Sequence, residues 1–328
     1  MMKSATIAVA LFSTALATPA LSATTAFLSR NGAGTICTLA APCTSMDAAI
    51  AAAGAGGEVV CLDKYKYGSA NNIAASVTIS CGDGLWDTSL PLVNISTPAN
   101  SKVVIEGLVG DCLGAVCGTI MNFSGQGDLE LRRVSIGHSG GSGATGLSFA
   151  PSGPASLTVT DSYFYDMPQY GILVKPASGA TSVTIRNSTL SRNGQHGVAF
   201  QPGVGANVIA NLVNVVAAGN SVGVSASDRA HVTIDSSAMN QNAFHGFLGY
   251  SASAASVLNI KNSVAHGNAS HGIVGSGAAA YVTMTKTLVT GNGAGVAGYA
   301  GASVLSFGDN QLFANGVNGA PTGSVAQQ

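Results

Sequence analysis

The chain has very little charge. Of its 328 residues 8% are charged, and 13 basic against 14 acidic residues leave a formal net charge of −1. The sequence therefore lacks the basic face that nucleic acid needs and the acidic tail that a cationic partner would bind. We expect no nucleic-acid partner. Ser, Thr, Asn and the 43 glycines are expected to cover most of the surface.

Long apolar runs are missing after the N-terminal region. Charged or turn-forming residues interrupt each later run, so we expect no membrane span in the mature chain. The first residues are typical of an export signal, with Lys3, an apolar stretch from Ala5 to Ala17, and small residues up to Ala23. We predict a signal peptide over residues 1–23 and an exported protein in the periplasm, at the cell surface or outside the cell.

Cysteine is absent from the second half of the chain. The six cysteines are Cys37, Cys43, Cys61, Cys81, Cys112 and Cys117. An even number behind an export signal predicts disulfide bonds, for which six cysteines allow fifteen pairings. We favour pairing in sequence order, because the first and third bonds then close short loops and the second joins neighbouring coils. A metal site is the less favoured alternative, since the region has no CxxC pair and no histidine.

The second half of the chain is periodic. Glycines that open a short apolar run recur at steps of 26, 26, 23, 26 and 23 residues, at Gly171, Gly197, Gly223, Gly246, Gly272 and Gly295. Gly146 and Gly118 extend the series backwards. Self-similarity at this period is typical of a chain that stacks one supersecondary unit on the next.

Each repeat contains three segments with the pattern of short strands. Seven residues before each glycine stands an apolar residue, namely Phe164, Leu190, Val216, Met239, Ala265 and Leu288. Earlier in the repeat apolar residues alternate as in a strand with one buried face, for example Leu258 and Ile260. Because no helical periodicity separates the segments, they predict a coil whose strands pair in parallel with their counterparts one turn later.

Polar residues mark the turns. One column lies ten residues before the glycines and contains Asp161, Asn187, Ser236 and Asn262. A second column lies three or four residues before them and contains Asn193, Asn220, Asn242 and Asn268. Asn and Asp tolerate left-handed turns, and stacked Asn side chains can bond to one another. The glycines suit positions that need a positive φ or a close backbone approach.

These features resemble right-handed parallel β-helix proteins of the pectate-lyase-like superfamily, and the mature chain resembles small exported bacterial β-helix proteins of unassigned activity. The segments that carry the resemblance are Cys37–Cys43, the Ala-rich Met46–Ala53, Gly56–Val60, Asn193–Gly197 and Phe307–Asn310. The resemblance implies an all-β right-handed parallel β-helix (solenoid) of about 9–11 coils of about 23–28 residues, with a short N-terminal capping helix.

We accordingly divide the chain into four segments. The signal peptide is followed by an N-terminal cap with the disulfide-bearing first coils over residues 24–117, β-helix repeats over 118–318, and a flexible tail over 319–328. The capping helix is expected to cover the N-terminal end of the coil, whose strand edges and interior would otherwise be open.

The catalytic patterns of polysaccharide-cleaving members are missing. The sequence has no paired aspartates with Gly-His-Gly and no Asp-Pro-His-Asp. A calcium-dependent lyase needs clustered carboxylates and a basic residue. Beyond residue 130 the acidic residues are scattered over at least three coils, at Asp161, Asp166, Asp228, Asp235 and Asp309. We predict no catalytic site, no metal and no cofactor, with Ca²⁺ expected only if the protein is an enzyme.

Three histidines are the weak catalytic candidates. His196, His245 and His271 each precede a repeat glycine, which puts His245 and His271 in one column on adjacent coils, about 5 Å apart. Such a column can bind a transition metal or act as an acid–base face. A histidine in this position also fits a polar turn that hydrogen-bonds along the stack, and we favour that structural interpretation.

The densest aromatic segment is the candidate glycan-binding site. Phe164 belongs to the inward column, so Tyr163 and Tyr165 are expected to point outward, near Asp166 and Tyr170. Outward tyrosines beside a carboxylate suit sugar binding through ring stacking and hydroxyl contacts. Ordinary surface tyrosines are the alternative interpretation.

Two functions remain open at this point. We favour an exported, non-catalytic β-helix protein that binds polysaccharide or serves as a cell-surface or matrix component. The alternative is a carbohydrate-active enzyme, a polysaccharide lyase or glycoside hydrolase acting on acidic glycans. The sequence leaves the oligomeric state open.

Overall fold

A computed structural model of the chain describes residues 24–63, 71–82, 85–86, 93–111, 118–137, 140 and 142–326. The predicted signal peptide and the pair Cys112 and Cys117 lie outside these residues. The described helix α1, Met46–Ala53, is not long enough to cross a membrane. All other regular structure described consists of strands, which we number in chain order.

The strands of the first coils are β1 Thr25–Leu28, β2 Gly57–Cys61, β3 Asn71–Ile73, β4 Val77–Ser80, β5 Leu85–Trp86, β6 Val93–Ile95, β7 Lys102–Glu106, β8 Val109–Asp111, β9 Met121–Phe123, β10 Gly127–Arg132 and β11 Ser135–Gly137. Those of the middle coils are β12 Leu147–Phe149, β13 Ala155–Thr160, β14 Tyr163–Tyr165, β15 Ile172–Val174, β16 Ser178–Ser191, β17 His196–Phe200, β18 Gly205–Ala218, β19 Val222–Ala226, β20 Ala230–Asp235 and β21 Ala238–Asn240. Those of the last coils are β22 His245–Tyr250, β23 Ser256–Lys261, β24 Val264–His266, β25 His271–Ser276, β26 Ala280–Thr285, β27 Leu288–Thr290, β28 Ala294–Tyr299, β29 Ser303–Ser306, β30 Gln311–Phe313, β31 Val317–Gly319 and β32 Gly323–Ser324.

The described strands form two parallel sheets that wind together as about nine turns of a solenoid. Sheet B contains 11 strands, which are β3, β6, β9, β12, β15, β17, β19, β22, β25, β28 and β31. Sheet A contains the other 21 strands. Each coil contributes one strand to sheet B and, in most coils, two consecutive strands to sheet A. In two central coils these two strands are continuous and form the long strands β16 and β18. The all-β parallel β-helix predicted from the sequence is confirmed.

The interior is a set of stacked apolar columns. Ile185 pairs in register with Leu212, Leu212 with Ile234, and Ile234 with Ile260. All four side chains are buried, as the alternation in the sequence predicted. Because similar apolar side chains lie above one another, each coil buries its apolar face against the adjacent coils. The core therefore runs the length of the molecule.

Two of the residues predicted to point inward do not. Val216 and Leu288 are partly exposed, and their neighbours Ala217 and Val289 are buried instead. Ala217 pairs with Leu190, and Val289 pairs with Ala265. In both coils the segment between the inward residue and the glycine is one residue shorter than in the others, so counting back by a fixed number lands on the wrong side of the strand.

The second polar column forms a buried hydrogen-bonded ladder, as predicted. The Asn242 amide donates from Nδ2 to Asn268 Oδ1 at 2.9 Å and to the Ala217 carbonyl at 3.1 Å, while Asn268 Oδ1 also accepts from the Asn242 backbone N–H at 3.0 Å. Asn292 and Asn315 continue the ladder beyond Asn268, the last residue of the column predicted from the sequence. The ladder satisfies backbone groups in a turn that the apolar core would otherwise leave unpaired.

The exposed turn column and the repeat glycines have different backbone requirements. Asp161, Asn187 and Asn262 have positive φ angles of 52°, 48° and 49°, as expected for the exposed column. The repeat glycines are needed for close approach instead of a positive φ: a Cβ at Gly246 would lie 2.7 Å from the Gly272 carbonyl oxygen.

The N-terminal cap agrees with the sequence analysis. Ser45 caps helix α1 by accepting from the Ala48 N–H, and Met46, Ala49 and Ala53 face the first coil. Disulfide bonds join Cys37 to Cys43 and Cys61 to Cys81. At the other end the coil continues farther than expected, because Gly323–Ser324 pair with β29 within the segment predicted to be a flexible tail.

Candidate functional site

From β15 to β28 the outer face of sheet B carries mainly small and apolar side chains. Its central outward column contains Leu173, Ala199, Ser225, Leu248, Val274 and Ala297, which lie in register on successive coils. Their neighbours on either side along each strand, such as Val198 and Phe200, point into the core.

Part of this outer face is buried by the chain's own side chains. Ala199 is 0% exposed, Ser225 2% and Val274 2%, although all three point away from the core. The ring of His196 reaches across the face, with Nδ1 2.8 Å from Ser225 Oγ on the next coil. Tyr299 lies farther along the strands yet bonds through its hydroxyl to Nε2 of His271 at 2.7 Å. These rings therefore lie over the face instead of standing away from it.

Five rings form a strip along this face. The ring strip consists of Tyr170, His196, His245, His271 and Tyr299. The ring centroids of Tyr170 and His196 are 5.4 Å apart, those of His245 and His271 5.2 Å, and those of His271 and Tyr299 5.5 Å. The spacing of His245 and His271 agrees with the separation expected from the sequence. Val222 fills the coil between His196 and His245.

The histidines of the strip are neutral near pH 7. Burial, and then the proximity of His245, lowers the pKa of His196 to about 4. Burial, and then the proximity of His271, lowers the pKa of His245 to about 4 as well. Burial also lowers the pKa of His271, whose Nδ1 lies 2.7 Å from Ser270 Oγ. The strip is therefore an uncharged aromatic surface with hydrogen-bonding edges.

The structure distributes the predicted glycan-binding residues over two surfaces. Tyr163 and Tyr165 point outward from sheet A, where their rings stack on each other at 4.5 Å. Tyr163 Oη lies 2.7 Å from Ser191 Oγ, and both carboxylate oxygens of Asp166 accept from the Arg192 guanidinium. Tyr170 instead contacts His196 and so belongs to the ring strip.

The remaining aspartates named in the sequence analysis hold turns together. Asp161 accepts from Asn187, and Asp235 accepts from Asn262 and pairs with Lys261. Other contacts of the same kind join Asp228 to the Ala252 and Ser253 N–H groups and Asp309 to Thr285 and Lys286. In the part of the chain that the structure describes, no three His, Cys, Asp or Glu side chains converge as a metal site would require.

A depression lies on sheet A. It has a volume of about 520 Å³ and crosses several coils at the start of the sheet A strands, between Asn100 and Ile209. Asp128 and Ser156 lie on its wall and hydrogen-bond to each other. The lining residues come from several coils and share no pattern that predicts a depression from the sequence.

A model of the family described as right-handed β-helix region matches residues 145–312, about half of the chain. The crystal structure of a pectate lyase has a similar fold, with a TM-score of 0.53 and 19% identity over 93% of this chain and 78% of that one. A periplasmic alginate epimerase (TM-score 0.47, 11% identity, 76% and 77% of the two chains) and the A-module of a mannuronan C-5 epimerase from Azotobacter vinelandii (0.43, 15%, 83% and 91%) also match. No match was found among curated proteins. At these identities the structural likeness shows a common fold alone.

Proposed function

We propose that this chain, which belongs to the right-handed β-helix family, is an exported, non-catalytic protein that binds polysaccharide at the ring strip. The observation that carries the proposal is the alignment of Tyr170, His196, His245, His271 and Tyr299 along the coil axis. A glycan chain lying along this axis would meet a ring on five of the six coils from β15 to β28. Sugar rings stack on aromatic faces through their C–H groups.

The hydrogen-bonding groups of the strip support the same function. His271 and Tyr299 present an imidazole and a phenol already bonded to each other at 2.7 Å, which fixes both rings in place. Ordered rings lose little conformational entropy when a ligand binds, and the Tyr299 hydroxyl can form a second hydrogen bond, to a sugar hydroxyl group. Tyr163, Tyr165 and Asp166 are proposed as a second contact on sheet A.

The positions of the carboxylates favour binding over catalysis. Asp166, Asp228 and Asp235 each satisfy a turn or an arginine, and none of them lies in the ring strip. A hydrolase needs two carboxylates on either side of the scissile bond. Export is supported by the two disulfide bonds of the N-terminal cap, since such bonds persist in oxidising compartments. A place on the cell surface or in an extracellular matrix fits both features.

Affinity electrophoresis of the purified mature protein through gels containing single polysaccharides tests the proposal. We expect retardation by at least one polysaccharide, with no new reducing or unsaturated ends on prolonged incubation. Product formation that is lost in His245→Ala or His271→Ala would replace our proposal by the enzyme alternative. Absence of retardation in every gel would show that the protein does not bind polysaccharide.

A further inference from the structure

We propose that the polysaccharide bound at the ring strip is uncharged, and not the acidic glycan of the enzyme alternative. This inference rests on the proposed function and narrows it to one class of ligand. It is carried by the distribution of charge between the two sheets, which the fold does not dictate.

Sheet B contains no charged residue in any of its described strands. Its strand sequences, from NNI and VNI at the N-terminal end to HGFLGY, HGIVGS and AGVAGY in the ring strip, contain no Asp, Glu, Lys or Arg. The outward column beneath the rings consists of Ala, Ser, Leu and Val side chains. With neutral histidines above it, the whole surface is uncharged at pH 7.

Among the described residues, the cations nearest in sequence to the sheet B strands from β15 to β28 lie outside those strands, at Arg192, Lys175 and Arg229. Arg192 is held by Asp166 in a two-point ion pair with distances of 2.7 and 2.8 Å. Lys175 and Arg229 follow the C-terminal ends of β15 and β19, whereas the histidines of the strip lie at the N-terminal ends of β17, β22 and β25. A uronate chain lying over the rings would thus have its carboxylates above apolar side chains.

An acidic glycan and a neutral glycan would gain differently from this surface. A carboxylate that leaves water without a cation or several N–H donors loses free energy, because its hydration is not replaced. Arginine and lysine supply the strong charge-assisted bonds in sites that do bind carboxylates. A neutral pyranose needs only an aromatic face for its C–H groups and a few hydroxyl partners, and the hydroxyl groups of Tyr299 and Ser270 provide these beside the His271 ring.

The test compares two sets of polysaccharides at pH 7 and about 0.15 M salt, which screens weak long-range attraction. The neutral set contains mixed-linkage β-glucan, xyloglucan and galactomannan, and the acidic set contains polygalacturonate, alginate and hyaluronan. We expect retardation by at least one member of the neutral set and none by the acidic set. Retardation by acidic glycans alone would overturn the inference and leave the proposed function standing, whereas no retardation by either set would overturn both.

A matched pair of tyrosines locates the binding surface. Tyr299 in the strip and Tyr281 on sheet A are similarly exposed, at 50% and 46%. We expect Tyr299→Ala to weaken neutral-glycan binding about tenfold and Tyr281→Ala to change it less than about twofold. Equal losses in the two variants, or a loss in Tyr281→Ala alone, would show that the ligand does not lie on the ring strip.

A designed charge tests the physical argument directly. Leu248 lies on the outer face of sheet B between Ser225 and Val274, and it is partly exposed. Leu248→Lys is expected to gain retardation by polygalacturonate and to lose retardation by the neutral glycan, while Leu248→Gln gains no acidic ligand. If Leu248→Lys kept the binding profile of the unmodified protein, charge on this face would not control the choice of ligand. Circular dichroism confirms that both variants are folded.

Discussion

The outer faces of the two sheets differ sharply although they share one coil and one interior. Sheet A carries ion pairs between coils, including Lys102 with Glu130 at 3.0 Å and Lys261 with Asp235 at 3.0 Å. Although burial opposes it, hydrogen bonds from Lys102 and Arg132 hold the pKa of Glu130 below its usual range. In the part of the chain that the structure describes, the strands of sheet B contain no Asp, Glu, Lys or Arg.

The difference shows how a solenoid can divide its surface by role. Residues in register on adjacent coils lie about 4.8 Å apart, close enough for opposite charges to pair within the face. Sheet A uses this spacing to satisfy its charges internally. Sheet B uses the same spacing to align rings, whose edges and outer surfaces are available to a ligand.

The largest loss of stability is expected from a substitution in the interior that both sheets share. Ile260 is 1% exposed in its apolar column, so Ile260→Asp would bury an unpaired carboxylate. We expect a loss of at least about 4 kcal/mol in the free energy of unfolding, measured by chemical denaturation. Asn259 points outward from the same strand, so Asn259→Asp is the control. It should lower the free energy of unfolding by less than about 1 kcal/mol. A mild effect of Ile260→Asp would place that residue in solvent and contradict the register.

The buried asparagine ladder, which lies in the turn leading to sheet B, comes next. Asn242→Leu removes the acceptor of the Asn220 N–H and the donor to the Ala217 carbonyl. Leaving these buried groups unpaired is expected to cost about 2–3 kcal/mol in thermal or chemical unfolding. Asn262→Gly, in the exposed turn column, should cost less than about 1 kcal/mol because glycine accepts its φ of 49°. Similar losses at both positions would mean that burial does not distinguish the two columns.

An effect confined to acidic pH is expected from the neutral histidines of sheet B. The pKa of His196 is about 4 in the folded protein, compared with a usual value of 6.5. Below pH 6.5 the unfolded chain therefore takes up a proton that the folded protein does not, and stability falls as the pH falls from 6.5 toward 4. Above pH 6.5 His196 is neutral in both the folded and the unfolded chain, so its protonation costs no stability there.

Melting temperatures measured across this interval for His196→Gln should fall less steeply with pH than those of the unmodified protein. His231→Gln is the matched control, because His231 is exposed on sheet A. Carboxylates affect all three proteins alike, so the difference between their slopes isolates the histidine. An unchanged slope in His196→Gln would show that burial of this imidazole does not govern its protonation.

A smaller effect on glycan binding than that of Tyr299→Ala is expected at the tyrosine pair of sheet A. Tyr163 and Tyr165 already stack on each other, so less ring surface is left for a sugar than on the strip. The double variant Tyr163→Ala/Tyr165→Ala should weaken neutral-glycan retardation less than Tyr299→Ala does. A larger loss in the double variant would move the main binding site to sheet A.

Much of the fold follows from local patterns. Alternation in segments such as Leu258–Ile260 identified the inward side chains, because neighbouring positions on a strand must face opposite ways. The Asn193 to Asn268 column predicted the ladder for a similar reason, since residues that recur with the coil lie above one another. Val216 was misassigned because a turn shorter by one residue shifts the alternation without leaving a mark in composition.

The candidate site was less accessible to sequence reasoning. The histidine column followed from the repeat, but Tyr299 stands at the far end of its strand and gave no sign that its ring folds back to His271. Nor did the sequence show that Arg192 holds Asp166, since the two are 26 residues apart. Contacts of this kind depend on side-chain direction across coils, which spacing alone does not specify.

The amino-acid sequence by itself determined the coil, its inward columns, its ladder and the lack of charge on sheet B, because each of these depends on residue type at a repeating position. Only the tertiary structure decided that rings from His196 to Tyr299 line up along that uncharged face. The rotamers of these rings depend on which groups of the neighbouring coils can bond to them. They are therefore set only once the coils have stacked.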